Sequence, residues 1–319
     1  MTPSSYRRLT FLLAAFTIAG LSITPSQTRS ADPLTLRVTT LPIESTADVY
    51  YAQDEGFFKD AGLTVSIAQS AGGSVILSAV EGGSYDIGMS NFVTVAGAKA
   101  HGVPISVIAP AGMHISSAPS ELLMVKQDAP IRTAADLNGK TIAVNVLGAL
   151  SQLASQAWIT KNGGDLRSVH FVEFPYPAML AALQAGRVDA IAVAEPFATA
   201  AKASARPLAD TYDAISPRFI FGCWVATDAW LGQHADEARR FIAALRRAHE
   251  WANSHVTESA AILVLHTKLT PQIVATMSRT VYATTLDPQL IAPFLDAGAK
   301  NGMLPRPVSV SELVWKAGS

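Results

Sequence analysis

The chain holds a single cysteine, Cys223, among 319 residues. An intramolecular disulfide is therefore excluded, and so is a cysteine-rich metal site. Charge is scarce as well, at 15% of residues, against about 25% in an average globular chain. Together with a 49% hydrophobic content this excludes disorder, a coiled coil and a polyelectrolyte tail. A formal net charge of −1 leaves no basic excess to neutralise a phosphate backbone, which argues against nucleic acid as a partner. The seven histidines lack His-x-x-x-His spacing, and no Gly-x-Ser-x-Gly elbow accompanies them. No catalytic triad can be composed from these residues. Glu44 and Glu195 could pair as acid and base, but their segments offer no companion nucleophile or metal ligand. Beyond Asp32 no 18-residue apolar run occurs, so the chain after that point is expected to be soluble.

One apolar run precedes Asp32. Arg7 and Arg8 lead into the apolar stretch Leu9 to Ile23, and Pro25, Ser26, Ser30 and Ala31 supply a small polar region. This order is that of a secretory signal, with residues 1–31 removed on export. A span of the bilayer needs about 20 apolar residues, more than this stretch provides. No cysteine follows it to carry a lipid. Its removal takes away Arg7, Arg8 and Arg29 and no acid, leaving a mature charge of about −4.

The length exceeds one domain of about 100–200 residues, and an internal repeat shows how it divides. In the first half the alternating run 34–40 reads as a strand, 46–58 as a helix, 63–67 as a strand, 71–80 as a helix and 86–89 as a strand. The same order recurs at 140–145, 150–161, 169–172, 177–184 and 188–193. Residues 76–86 lie over 179–189 at a constant offset of 103. The sequence thus predicts two α/β lobes, each of βαβαβ type.

In open parallel sheets ligands collect at the carboxyl ends of strands, where loops meet helix N-termini. In the first lobe this rule selects Glu44, Ser45, Gly73, Ser74, Ser90 and Asn91. In the second it selects Asn145, Gly148, Ala149, Tyr176 and Glu195. His114, on the segment entering the expected hinge, joins them as a versatile hydrogen-bonder. If the two lobes face each other, these residues line one interlobe cleft that hinge closure can shut over a small molecule. Glycines at 72, 73 and 148 would let backbone N–H groups approach it.

The motifs Gly-Lys-Thr-Ile-Ala-Val-Asn at 139–145, Phe171 through Pro175, Ala185 through Ala190, and Glu195-Pro196-Phe197 resemble the solute-binding proteins of ABC importers for nitrate, sulfonate and taurine. Residues 52–58, 136–140 and 302–305 are similar too. The resemblance implies a type II periplasmic binding fold whose lobes are joined by two crossing hinge strands, near Glu121–Val125 and Phe219–Val225. The lobes would be 32–120 plus 225–319, and 121–224. It further implies a monomeric periplasmic receptor without a cofactor. Its partners would be a small polar or anionic solute and a membrane permease with its ATPase. The family also includes pyrimidine-precursor binders and an enzyme with a cysteine-rich motif, which this chain lacks. An enzyme of small-molecule metabolism on the same fold is the alternative function, and the sensor lobe of a receptor a third.

Overall fold

The computed structural model describes residues 35–70, 72–267 and 269–316. The expected signal, residues 1–31, lies outside these described residues. In chain order the strands are β1 (Thr35–Thr40), β2 (Thr64–Gln69), β3 (Ile87–Asn91), β4 (Ile105–Pro110), β5 (Gly112–Ile115), β6 (Glu121–Lys126), β7 (Thr141–Val144), β8 (His170–Glu173), β9 (Ala190–Ala194), β10 (Ala205–Ala209), β11 (Arg218–Ile220), β12 (Gly222–Thr227) and β13 (Val281–Tyr282). They form three sheets, two of them five-stranded. The first runs β2-β1-β3-β12-β4; the second, taken from its matching edge, runs β8-β7-β9-β6-β10. A small antiparallel sheet, β11-β5-β13, lies between them in the chain's path.

The two large sheets share one plan. In each, three parallel strands from successive βα units occupy one side and an antiparallel strand pairs with the third, β12 from later in the chain in the first sheet and β6, just ahead of β7, in the second. The 103-residue offset reappears as a hydrogen-bond device. The Asp86 carboxylate accepts the Arg37 N–H at 2.8 Å while the Arg37 carbonyl accepts the Asp86 N–H at 2.8 Å. The Asp189 carboxylate and Thr141 repeat this exchange at 2.9 and 2.8 Å. Each aspartate thus satisfies a strand N–H that the parallel ladder leaves over.

Strands β4 and β9 are buried along their whole length, as expected for strands covered on both faces. Close packing also fixes a glycine. A Cβ at Gly88 would meet the Val80 and Ile76 methyls at 2.6 and 2.8 Å, so the helix Gly73–Glu81 lies directly on β3. The single helix expected over 46–58 is instead two, Asp48–Asp54 and Phe57–Asp60, divided at Gly56 with φ 74°. That left-handed backbone suits glycine and ends the first helix.

The chain crosses from β5 to β6 through residues 116–120 and returns from β10 to β11 through 210–217. These crossings differ in place from the expected ones. Glu121–Val125 is wholly within the second sheet, and Phe219–Val225 is divided at Phe221 between the small sheet and the first. Apolar strand content marked both segments, but pairing partners decide the sheet, and these are set by residues far away in sequence. The two crossings are clasped together. Ser116 N–H donates to the Pro217 carbonyl at 3.1 Å, and the Ser116 hydroxyl to Asp213 at 2.6 Å. The C-terminal helices return to the first sheet, where Ala235–Ser254 packs on Asp48–Asp54 and the Trp315 N–H donates to Val107 at 2.8 Å.

Candidate functional site

The carboxyl ends of β1 and β3 on one side, and of β7 and β9 on the other, enclose a cavity. About 60 Å³ of it is open to the centres of water molecules. At roughly 10–15 Å³ per water this holds a handful of them, the size of a small solute's head group. From the first sheet's loops come Leu41, Ile43, Ser45, Gly73, Ser90 and Asn91. Across the cavity stand Asn145, Ala149, Ser151 and Tyr176, with Ser120 and Tyr212 contributed by the two crossings. Among the described lining residues none carries a charged side chain. The lining combines hydroxyls, amides and apolar groups, the make-up of a small-molecule pocket.

Seven of the twelve residues selected from sequence meet here: Ser45, Gly73, Ser90, Asn91, Asn145, Ala149 and Tyr176. Asn91 also caps the helix Phe92–Ala100, its side-chain oxygen accepting the Thr94 N–H at 3.0 Å. Asn145 Nδ2 and Ser120 Oγ are buried without a partner among the described residues, which leaves both polar groups to a guest.

The other five are engaged elsewhere. The Ser74 hydroxyl donates to Glu173 Oε1 at 3.2 Å, while Glu173 Oε2 accepts the Leu147 N–H at 3.1 Å. Gly148, at φ 74°, donates its N–H to Gln152 at 2.8 Å rather than offering it to the cavity. Glu44 is fully buried and binds Arg279 at 3.1 Å and the Thr280 N–H at 2.8 Å. Burial nevertheless holds the Glu44 carboxyl above its ordinary range, outweighing Arg279. Glu195 accepts the Thr199 N–H and hydroxyl, both at 2.9 Å, and its carbonyl accepts the Glu44 N–H at 3.0 Å. Burial raises that carboxyl too. His114 is buried at the crossings with Nε2 on Asp213 at 2.8 Å. Each of these charges has found an internal partner, a possibility that strand-end position alone does not reveal.

One residue behind the wall had no sequence signal beyond its polarity at the head of an apolar strand. Glu121 Oε2 accepts the Ser151 hydroxyl at 2.7 Å and the Tyr176 hydroxyl at 3.1 Å, and both donors line the cavity. Burial lifts the Glu121 carboxyl to about 7, against the lowering effect of these hydroxyls. Ser151, Ser120 and Tyr212 also escaped the strand-end rule, because they follow a helix start or sit on the crossings. The first of these has a faint cue, since Gly148 marks the loop ahead of the helix Leu150–Lys161.

At Gly73 the two sides of the cavity lie close together. A Cβ there would lie 3.2 Å from Val146 Cγ2 and 3.6 Å from Asn145 Oδ1. Replacing Gly73 with Leu is therefore expected to wedge the sides apart and to weaken binding of any solute held here about tenfold or more, from typical overpacking costs. Calorimetric titration against the parent measures this, and an unchanged affinity would remove Gly73 from the closing contact.

The sequence matches the NMT1/THI5-like family over residues 44–259, more than half of the chain. The chain belongs to that family. A putative ABC transporter periplasmic binding protein of Brachyspira hyodysenteriae is 28% identical over 60% of this chain and 56% of its own length. This chain thus spans little more than half of that relative. A putative aliphatic sulfonates-binding protein of Escherichia coli is 22% identical over 79% of each chain. Among solved structures, the alkanesulfonate-binding protein SsuA from Xanthomonas axonopodis pv. citri, bound to MOPS, superposes with a TM-score of 0.72 at 21% identity. That match covers 90% of this chain and 99% of SsuA. The fold is that of the periplasmic binding proteins. It is not confined to them: the desulfurization enzyme DszB superposes with a TM-score of 0.62 at 16% identity, covering 88% of this chain and 96% of its own.

Proposed function

We propose that this protein is the solute-binding component of an ABC importer. The observation that carries the reading is the cavity between the carboxyl ends of two sheets of matching topology, lined from both sides and by both crossings. Each sheet carries one lobe, and the lobes close about segments 116–120 and 210–217. In the open state the solute meets one side; closure brings Gly73 against Asn145 and Val146 and shuts it from water. The closed surface is what the permease recognises, and ATP hydrolysis by the importer opens it again. The names of the relatives support this class of role and a periplasmic location; a monomer exported by its N-terminal segment completes the reading.

A thermal-shift screen against sulfonates, nitrate, carboxylates, pyrimidines and amines tests the reading, because a ligand that binds only the folded state raises the melting temperature. One class is expected to raise it and to be recovered unchanged. The likeness to the desulfurization enzyme sustains a second reading, catalysis on the same fold, and chemical turnover of a screened compound would establish it in place of the first.

A further inference from the structure

We propose that the solute presents hydrogen-bond donors without negative charge to this cavity, as an amine, amidine, amide or ring N–H does, and that Glu121 sets this preference. The inference rests on the receptor reading and names its substrate class. It follows from counting protons. Tyr176 and Ser151 each own one hydroxyl hydrogen, and both hydrogens go to Glu121 Oε2. What these hydroxyls have left for the cavity is lone pairs. Glu121 Oε1 is buried with no partner among the described residues. Among the described lining residues there is no Lys, Arg or His to attract an anion.

Among the described residues no cation contacts the carboxylate, and what offsets its burial is the hydroxyls of Ser151, Tyr176 and Tyr212. Tyr176 and Tyr212 face it as neutral phenols, and Asp210, of its own sign, adds to the burial that disfavours its charge. His114 Nε2 is 2.8 Å from Asp213, so that ring nitrogen is engaged away from Glu121. A guest bearing N–H groups would supply the missing donor to this wall, whereas an oxyanion here would meet lone pairs with a buried carboxylate behind them, and would find its donors only at Asn145 Nδ2 and the Ser120 hydroxyl among the unpartnered groups of the described residues. The Asn145 amide contributes a donor from the other direction, which suits a guest that also has an acceptor edge.

Benzamidinium, benzamide and benzoate offer one shape in three charge states, and ethanesulfonate adds the anion type of the sulfonate binders. With the purified protein at pH 8, calorimetry is expected to rank benzamidinium above benzamide, with no measurable binding of the two anions. Glu121→Gln is expected to weaken benzamidinium about tenfold, the effect of removing the buried negative charge that stands behind the Tyr176 and Ser151 hydroxyls, and to leave benzamide within about twofold, since its binding has no charge to lose. Tighter binding of either anion than of benzamidinium overturns the proposal while leaving the receptor reading intact. An unchanged benzamidinium affinity in Glu121→Gln overturns it equally. If that variant does not fold, the parent protein decides: benzamidinium affinity should fall between pH 8 and pH 6 as Glu121 takes up a proton, and a flat or rising profile refutes the role. Binding of none of the four probes overturns this proposal and leaves the receptor reading to the thermal-shift screen.

Discussion

Replacing Asp48 with Ala is expected to remove about 3–5 kcal/mol of folding stability, the range found when one partner of a buried ionic network is deleted. Asp48 is wholly buried. Its Oδ2 accepts the Trp224 indole N–H and faces His249 Nε2, both at 2.8 Å, and its Oδ1 accepts the Val49 N–H at 3.1 Å. The other ring nitrogen of His249 lies 2.8 Å from the Ala283 carbonyl. A carbonyl can only accept, so Nδ1 donates there, and the ring's second nitrogen is turned to the carboxylate. Four distant parts of the chain meet at this one side chain: the helix Asp48–Asp54, strand β12, the helix Ala235–Ser254 and the segment after β13. Alanine would strand an indole N–H and leave His249 Nε2 without a partner in a region walled by Tyr282, which stacks on His249 at 5.2 Å. Urea unfolding of the variant measures the loss. A difference below about 1 kcal/mol, the worth of one ordinary hydrogen bond, would show that the network does not hold these elements together.

The second large effect is a dependence on pH. Glu121 holds its proton up to about 7 in the fold, above its ordinary 4.5. Between those values the folded chain binds a proton that the unfolded chain has lost, so stability falls as pH rises through that window and is level on either side. The size is about 3 kcal/mol, at 1.36 kcal/mol for each pH unit. Glu44 and Glu195 are raised by burial and act in the same sense, so the readout is the difference between the parent and Glu121→Gln. Relative to the parent, the glutamine variant should gain about 3 kcal/mol between pH 4.5 and pH 7.5, by the same conversion. Parallel stability curves for the two proteins would show that the carboxyl titrates normally.

The repeat was the legible part of the fold. Strand alternation, the helices opening at glycine and the 103-residue offset foretold β1 to β3 and β7 to β9 to within a few residues, because those units are local and their pattern is written in consecutive positions. The antiparallel insertions were not legible. That β12 enters between β3 and β4 depends on pairings more than a hundred residues apart, and no local pattern encodes a partner. The site divides the same way. Small polar residues at strand ends, such as Ser90 and Asn145, stand at the cavity because topology alone puts them there. Glu44, Glu195 and His114 occupy equally suggestive positions, yet each is taken by Arg279, Thr199 or Asp213. Whether a charge is spent or free is decided by such remote partners, and for the same reason Glu121 gave no sign of its place behind Tyr176.

The clasp between Ser116 and Pro217 makes the intervening hundred residues a cassette whose two ends touch. Its sheet, β6 to β10, is contiguous in the chain, whereas the first sheet waits for β12. During synthesis the later-numbered half therefore has all its strands before the earlier half does, and the N-terminal strands must remain unfinished until Gly222–Thr227 has emerged.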